Sequence, residues 1–239
     1  MPKTGEDGSE PQNEEFIQLT RAIVDGERET VARLVQASPG LLQTGTARGA
    51  TRDNQNEFFF HQINHYLYLG DTALHIAAAG FRWKIILDLL GWGADYSAKN
   101  RRGAEPLHYA SDANTWNPAP QVASIENLIR AGANPNALDK NGVAPLHRAV
   151  RTRSAAAVAA LLIGGADPRM KNKSGSTPLH LAVQNTGRGG TGEAHALEQQ
   201  RQIILILLQN GATPRDKDGR GRTVEQAISA GWIRALFER

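Results

Sequence analysis

Apolar residues recur along the chain in short segments with the i, i+3, i+4 spacing of one helix face. Two examples are Ile85, Ile86, Leu89 and Leu90, and Ile203, Ile204, Leu207 and Leu208. Glycines and polar turns separate these segments, and no apolar run approaches the roughly 18 residues of a membrane span. The pattern predicts a series of short amphipathic helices.

A motif recurs in the same order through most of the chain. A glycine stands five residues before a histidine, and the residues between them are similar to Asp-Thr-Pro-Leu; the glycine and histidine pairs are Gly70 and His75, Gly103 and His108, Gly142 and His147, and Gly175 and His180. Two apolar residues then precede a Gly-Ala pair, whose glycines are Gly93, Gly132, Gly165 and Gly211. Two linked motifs in fixed order indicate an internal repeat.

These motifs resemble the ankyrin repeat, whose period is about 33 residues and whose signature is Thr-Pro-Leu-His-x-Ala. We call the four residues that end in this histidine, similar to Thr-Pro-Leu-His, the tetrad. Proline or alanine at its second position suits the first turn of a helix, where an N–H is not needed. The later glycines stand where a helix needs a left-handed final residue. The resemblance covers roughly residues 14–239 and implies an all-α solenoid of stacked helix-turn-helix units with short β-like fingers.

A repeat array buries its apolar faces only by stacking, so both ends need caps. We predict a disordered tail over residues 1–13 and a repeat domain over 14–239. Its parts are an N-terminal cap (14–44), an insertion (45–69), four repeats (about 70–102, 103–141, 142–174 and 175–220) and a C-terminal cap (221–239). In the last cap, Gln226 stands where the histidine would.

Three departures from the repeat are visible. The second and fourth repeats carry extra residues between their two helices, and the glycine and proline content near Trp116 and over 187–192 predicts protruding loops there. The glycine usual between the helices is Phe81 in the first repeat and Arg153 in the third. The aromatic stretch 58–68 predicts a short helix or finger packed over the open end of the first repeat, and a binding segment is the alternative.

Seven histidines raise the question of metal or catalytic chemistry. The resemblance implies that the four tetrad histidines bind backbone of the adjoining finger, and stacked repeats hold them about 10 Å apart, too far to share one metal. Glu57, His61 and His65 would share one face if their segment were helical, so a metal site there is the alternative to plain packing.

Other catalytic motifs are missing. No Gly-x-Ser-x-Gly sequence occurs, and the glycine-rich stretch 187–192 has neither a preceding strand nor a Gly-Lys-Ser/Thr ending, so a flexible loop is the better interpretation. We expect no enzyme activity, no cofactor and no resident metal.

Bulk properties add little. The net charge is +3, the isoelectric point is near 9.3, and the chain has no cysteine. The first residues are polar and acidic and do not resemble a secretory signal, so a cytoplasmic location is expected. We also expect a monomer without a membrane anchor.

Alignment of the fingers on their glycines places basic residues at matching tips. The candidate partner-binding residues are Lys99, Arg101, Arg102, Lys140, Asn141, Lys171, Lys173 and Arg220, and Asp139, Asp216 and Asp218 reduce the positive charge. In ankyrin repeats the concave face of fingers and first helices is the usual recognition surface. We therefore expect a protein-binding module with a partner that is acidic.

Alternatives remain open at this point. Exposed turns are charged in any soluble protein, so the basic tips need not bind anything. Trp92, Trp116 and Phe81 are alternative aromatic anchors. A nucleic acid or another polyanion is the second candidate partner, although we expect nucleic acid less than protein.

Overall fold

The computed structural model describes residues 9–51, 53, 55–112, 117–184 and 193–237, with only the backbone for 9–13. These residues form helices α1 (Ser9–Asp25), α2 (Arg28–Ala37), α3 (Ala73–Ala79), α4 (Trp83–Gly91), α5 (Pro106–Ala110), α6 (Pro118–Arg130), α7 (Pro145–Arg151), α8 (Ala155–Ile163), α9 (Pro178–Ala182), α10 (Ala194–Gln209), α11 (Val224–Ala227) and α12 (Gly231–Arg234). Strands β1 (Phe59–Phe60) and β2 (His65–Tyr66) form a hairpin, and Pro39–Leu42 and Gln55–Phe58 are 3-10 turns.

The helices stack in two rows, as a solenoid requires. First helices α3, α5, α7, α9 and α11 pack in succession, and second helices α2, α4, α6, α8 and α10 form the other row. Helix α1 packs on α3, so α1 and α2 close one end of the stack, and α11 packs on α9 at the other. The predicted all-α solenoid is confirmed. Helix α1 begins at Ser9, inside the segment assigned to a tail, and residues 1–8 lie outside the described residues.

The core runs through the stack between the two rows. The tetrad leucines Leu74, Leu107, Leu146 and Leu179 are at most 1% exposed, and the first apolar residue of each second-helix pair, such as Leu89, is fully buried. Burial of each leucine side chain stabilises the folded state by about 2 kcal/mol, because apolar surface is removed from water. The helical spacing in the sequence therefore identifies the core correctly.

Each tetrad histidine joins its own helix to the next repeat. The ring Nδ1 accepts the backbone N–H at the start of the same helix, at 3.1–3.2 Å in all four repeats. The Nε2–H donates to a carbonyl of the following finger, with partners Ala104 (3.0 Å), Val143 (3.0 Å), Ser176 (3.2 Å) and Arg222 (3.3 Å). The expected contact with the adjoining finger is confirmed.

The turn between the two helices differs between plain and inserted repeats. Phe81 (φ 52°) and Arg153 (φ 63°) adopt the left-handed conformation of the glycine they replace. That turn lets the N–H of Arg82 reach the carbonyl of Ala77 (2.9 Å), and Ser154 does the same for Ala149 (3.1 Å).

In the inserted repeats, glutamine side chains make the equivalent bonds. Nε2 of the buried Gln121 donates to the carbonyl of Ala110 (3.1 Å), and Gln200 donates to that of Ala182 (2.7 Å). A buried carbonyl needs a donor, so the glutamines replace the backbone bond that the insertion removes.

The insertions also lengthen the second helices. Helices α6 and α10 have 13 and 16 residues, against 9 in α4 and α8. Pro118 and Pro120, which were expected in a loop, form the first turn of α6, and the Asn117 side chain caps it by accepting the N–H of Ala119 (3.3 Å). Proline suits this position because the first turn needs no N–H donor. Trp116 and the glycine-rich stretch 187–192 lie outside the described residues.

The aromatic stretch is a β-hairpin, so the expected helix is wrong, whereas a hairpin agrees with the finger that was expected as the other form. Its residues alternate between two faces, and the turn residue Asn64 has φ 47°, which suits asparagine and breaks a helix. The hairpin lies along the first helices, because His65 stacks on Tyr109 of α5 and Ile63 contacts Gly80. A β-carbon at Gly80 would lie 2.7 Å from Ile63 Cγ2. Helices α1 and α2 cover the open end instead.

A first prediction concerns pH. Burial, reinforced by the charge of Arg148, lowers the pKa of His108 from 6.5 to about 4. The unfolded chain therefore binds the proton first, and stability falls as the pH drops from about 6.5 to about 4. In His108→Gln that share of the pH dependence should disappear, since glutamine does not titrate.

Gln226 shows that glutamine keeps the capping bond, because its Oε1 accepts the N–H of Thr223 at 2.9 Å. Loss of the bond to Val143 should cost His108→Gln about 1 kcal/mol at pH 7. Urea unfolding at pH 7 and pH 5 measures both effects, with His61→Gln at an exposed histidine as the control. Equal pH dependence in wild type and His108→Gln would contradict the assignment.

A second prediction concerns the left-handed turn at Arg153. Arg153→Gly and Arg153→Ala both remove the side-chain bond to the Gln184 carbonyl (3.1 Å), but only glycine relieves the positive φ. The glycine variant should be the more stable by about 1 kcal/mol in chemical denaturation. Arg33 is an exposed residue within α2, and there the alanine variant should be more stable than the glycine variant, because glycine is unfavourable in a helix. The same order at both positions would be evidence against strain.

Candidate partner-binding surface

The four fingers lie side by side in the register expected from their glycines. Backbone N–H groups at each tip donate to the preceding finger: Lys140 to Arg102 (2.9 Å), Lys173 to Asn141 (3.2 Å), and Gly219 to Ser174 (3.0 Å). Arg101 donates in the same way to Leu69 at the end of the insertion (2.8 Å). Side chains at equivalent positions are therefore held in one row along the stack.

Each tip is a turn held by an Asn or Asp three residues before the glycine. These residues are Asn100, Asp139, Asn172 and Asp218, and the Oδ1 of each accepts the N–H groups two and four residues later, at 2.8–3.1 Å. The turn projects the two residues after each Asn or Asp into solvent. Sequence reasoning missed this role, although the recurrence of Asn or Asp at that position was the available signal.

The candidate binding residues are all exposed. Within the described part of the chain, no carboxylate forms an ion pair with Arg101, Arg102, Lys140, Lys171, Lys173 or Arg220. Lys99 is the exception among the candidate cations, because its Nζ lies 3.6 Å from Glu105 Oε1. Burial raises the pKa of Glu105, and the charge of Lys99 opposes that rise.

The acidic residues that were expected to weaken the basic row are satisfied within the protein. Asp139 is buried; although burial alone would raise its pKa, the N–H groups of Val143 and Asn141 and the charge of Arg148 lower it. Asp218 pairs with Arg222 (3.1 Å) and Asp216 with Arg169 (2.7 Å). The tips therefore present more positive charge than residue counting indicates.

A buried polar cluster lies behind the first tips and connects the insertion to the first two repeats. The fully buried Asp71 accepts the Tyr109 hydroxyl (2.8 Å), the Asn100 side chain (2.7 Å) and the N–H of Tyr68 (2.7 Å). Burial, and next the charge of Asp71, raise the pKa of Tyr109 well above its usual value, so the phenol stays protonated. Its hydroxyl also accepts from Asn100 (2.9 Å).

Arg148 extends the cluster into the third repeat. Its guanidinium donates to Asp112 (2.9 Å) and Asp139 (3.2 Å) and lies 5.9 Å from the ring centroid of Tyr109. Asp112 precedes the inserted residues of the second repeat, while Asp139 holds the next fingertip. Sequence reasoning did not single out these residues as a group, because they are distant along the chain.

The other sequence candidates do not form a site. Glu57, His61 and His65 share no helix face, since Glu57 lies in a 3-10 turn and the two histidines on opposite sides of the hairpin turn. No group of three histidine or acidic side chains that could hold a metal occurs among the residues with described positions. Phe81 is 5% exposed and Trp92 is 37% exposed, so only Trp92 of these two offers an accessible ring.

Comparisons with known protein families agree with the repeat pattern. A family model described as ankyrin repeats in three copies matches residues 119–218, and one described as an ankyrin repeat matches residues 69–101. Together they cover more than half of the chain. A search of curated proteins found no match.

A third prediction tests the polar cluster. Tyr109→Phe removes a donor from the buried Asp71 carboxylate and should lower the free energy of unfolding by about 1–3 kcal/mol. Tyr66→Phe, at a partly exposed tyrosine, is the matched control and should change stability little. Chemical denaturation measures both, and a Tyr109→Phe protein as stable as wild type would show that the hydroxyl contributes nothing.

Proposed function

This chain belongs to the ankyrin-repeat family, and from that premise we propose that it is a non-catalytic module that binds a protein partner. Ankyrin repeats are generally protein-protein interaction modules. The proposed binding face is the concave face of the finger tips and first helices. Its proposed contact residues are Lys99, Arg101, Arg102, Lys140, Asn141, Lys171, Lys173 and Arg220.

One observation carries this proposal: among the described residues, the exposed basic side chains at the tips have no acidic partner, whereas the neighbouring carboxylates are paired internally. An internally paired carboxylate is little available to compete with an incoming acidic group. The finger ladder also fixes the tips before binding, so the partner does not need to order them. A rigid row of unpaired cations suits an extended acidic surface.

The spacing of the tips indicates how the charges act. Neighbouring tips are about one repeat apart, roughly 10 Å. Screening acts over about 8 Å at physiological salt, so the cations repel one another weakly. Together they still attract an acidic partner and accelerate its encounter.

A nucleic acid or another polyanion is the second candidate, favoured by the same unpaired cations. Phosphate binding would make the affinity fall steeply with salt, because each neutralised phosphate releases counterions. Tight binding to one protein with a modest salt dependence would favour the first candidate.

The remaining expectations concern location and assembly. No helix in the described ranges is long and apolar enough to cross a membrane. The cytoplasmic location and the monomeric state stay predictions.

A fourth prediction tests the binding face by charge reversal. Affinity purification on the wild-type chain with mass spectrometry supplies the partner. The triple variant Arg101→Glu, Arg102→Glu, Lys140→Glu should then slow association about tenfold at low salt, and less at high salt, because steering is lost. Its stability should stay within about 1 kcal/mol of wild type, as for most exposed substitutions.

The matched control carries the same charge change on the second helices. Arg33→Glu, Lys84→Glu, Arg130→Glu alters three exposed or partly exposed cations of α2, α4 and α6. Each substitution changes the charge by two units, so both triple variants move the net charge from +3 to −3. Association rates at two salt concentrations separate a local effect from a global one. Equal rates for the two variants would remove the case for the finger face.

A further inference from the structure

The outward face of the hairpin carries aromatic side chains that the core does not use. Strand pairing places Phe59 opposite Tyr66 and Phe60 opposite His65, so each pair shares one face. Phe60 packs against the hydrophobic core, and the His65 ring lies 4.5 Å from that of Tyr109. Phe59 and Tyr66 therefore face away from the stack.

The outward rings contact one another. The Phe59 centroid lies 4.7 Å from Tyr66 and 4.8 Å from His61, with interplanar angles of 52° and 89°. Phe59 and Tyr66 are partly exposed and His61 is exposed, and none of the three belongs to the core cluster formed by the described residues. We call Phe59, His61 and Tyr66 the aromatic patch.

The hairpin and the first basic tip are joined. The Arg102 guanidinium lies 4.6 Å from the ring centroid of Tyr68, which is two residues beyond the end of β2. Arg101 donates through its backbone to Leu69 (2.8 Å) and through its side chain to the Ala50 carbonyl (3.3 Å). The carbonyl of Leu67 in turn accepts the N–H of Ala50 (2.7 Å). The hairpin that carries the aromatic patch is therefore attached at the insertion end of the basic row, and from there it extends along α3 to Gly80.

We propose that the aromatic patch anchors an aromatic or large aliphatic side chain of an extended acidic segment, whose carboxylates lie along the finger tips. This inference rests on the proposed function and specifies the partner. Large aromatic side chains supply much of the binding energy at protein interfaces, and charged rows around them supply orientation and rate. The unpaired cations of the tips complement the acidic residues of the segment.

The distance between finger tips sets the spacing expected of acidic residues in the partner segment. An extended chain advances about 3.3 Å per residue, and successive tips are about 10 Å apart. Acidic residues about every third position, beginning a few residues from the anchor, would meet Arg102, Lys140 and Lys173 in turn.

The arrangement of the rings favours a side chain over a nucleic-acid base. Single-stranded nucleic acid stacks its bases on open aromatic faces. In the aromatic patch, the rings of Tyr66 and His61 are inclined to the Phe59 ring by 52° and 89°, so the three rings do not form a flat, open platform. The result is an angular surface suited to one inserted side chain.

The test uses the full chain and fluorescein-labelled synthetic peptides in fluorescence polarisation. The anchored peptide has one tryptophan followed by three glutamates at every third position, separated by glycine and serine. The unanchored peptide has serine in place of tryptophan, and a single-stranded oligonucleotide of similar length serves as the third probe. The anchored peptide should bind about tenfold more tightly than the unanchored one, as expected for one aromatic anchor.

Variants locate the anchor. Phe59→Thr with Tyr66→Thr should reduce the tryptophan advantage to less than threefold, whereas Tyr66→Phe, which keeps the ring, should preserve it. Trp92→Ala removes an exposed aromatic on the second-helix row and should leave it unchanged. If the double threonine variant unfolds, the comparison of the two peptides on the wild type and on Tyr66→Phe still tests the anchor, because both proteins should bind the anchored peptide more tightly.

The outcomes separate the two proposals. Equal binding of both peptides, lost in Arg101→Glu, Arg102→Glu, Lys140→Glu, would overturn the anchor and support the basic row. An advantage of the anchored peptide that persists in the double threonine variant, or tighter binding of the oligonucleotide than of either peptide, would also overturn the anchor. Absence of binding by any probe would overturn the anchor too. The proposed function would then still be tested separately, with the partner found by affinity purification.

Discussion

The imidazole of each tetrad histidine connects the start of a first helix to the finger of the next repeat. Its Nδ1 completes the start of the first helix, and its Nε2 holds the finger of the next repeat. The ring can make both bonds only when Nδ1 is deprotonated and Nε2 carries the proton. Burial keeps His75, His108 and His147 neutral by lowering the pKa of each. Helix capping and finger position are thereby fixed by the same side chain, repeat after repeat.

The proposed binding surface depends on that regularity. Each finger is tied to a histidine on one side and to its neighbouring fingers by backbone bonds, so the position of the exposed tips does not depend on contacts of their side chains. Asn100 and Asp139 direct their carbonyl or carboxylate oxygens into the turns, and Arg148 neutralises Asp139 from behind. Cations remain at the surface while the neighbouring acids turn inward, so the row of tips is mostly positive.

The insertion before the first repeat changes one end of this surface. It covers α3, all of whose residues are buried, and ends in a hairpin that stacks His65 on Tyr109. The first repeat therefore offers little of its own helix to a partner. Aromatic rings of the hairpin stand there instead, and Tyr68, which follows the hairpin, contacts Arg102. The two ends of the basic row thus differ, so a segment bound as proposed would have a direction.

The sequence by itself determined the repeat, its helices and its glycine turns, because these depend on residues close together in a periodic pattern. The histidine contacts with the next finger followed from the resemblance to the ankyrin repeat, since their partners lie 29 to 42 residues away along the chain. It also aligned the finger tips, since the periodicity fixes their register. Only the tertiary structure decided that residues 59–66 form a hairpin over the first helices, as a short aromatic run has no clear period. The internal pairing of Asp139 and Asp216 likewise required three dimensions, because Arg148 and Arg169 reach them across a finger or from another repeat.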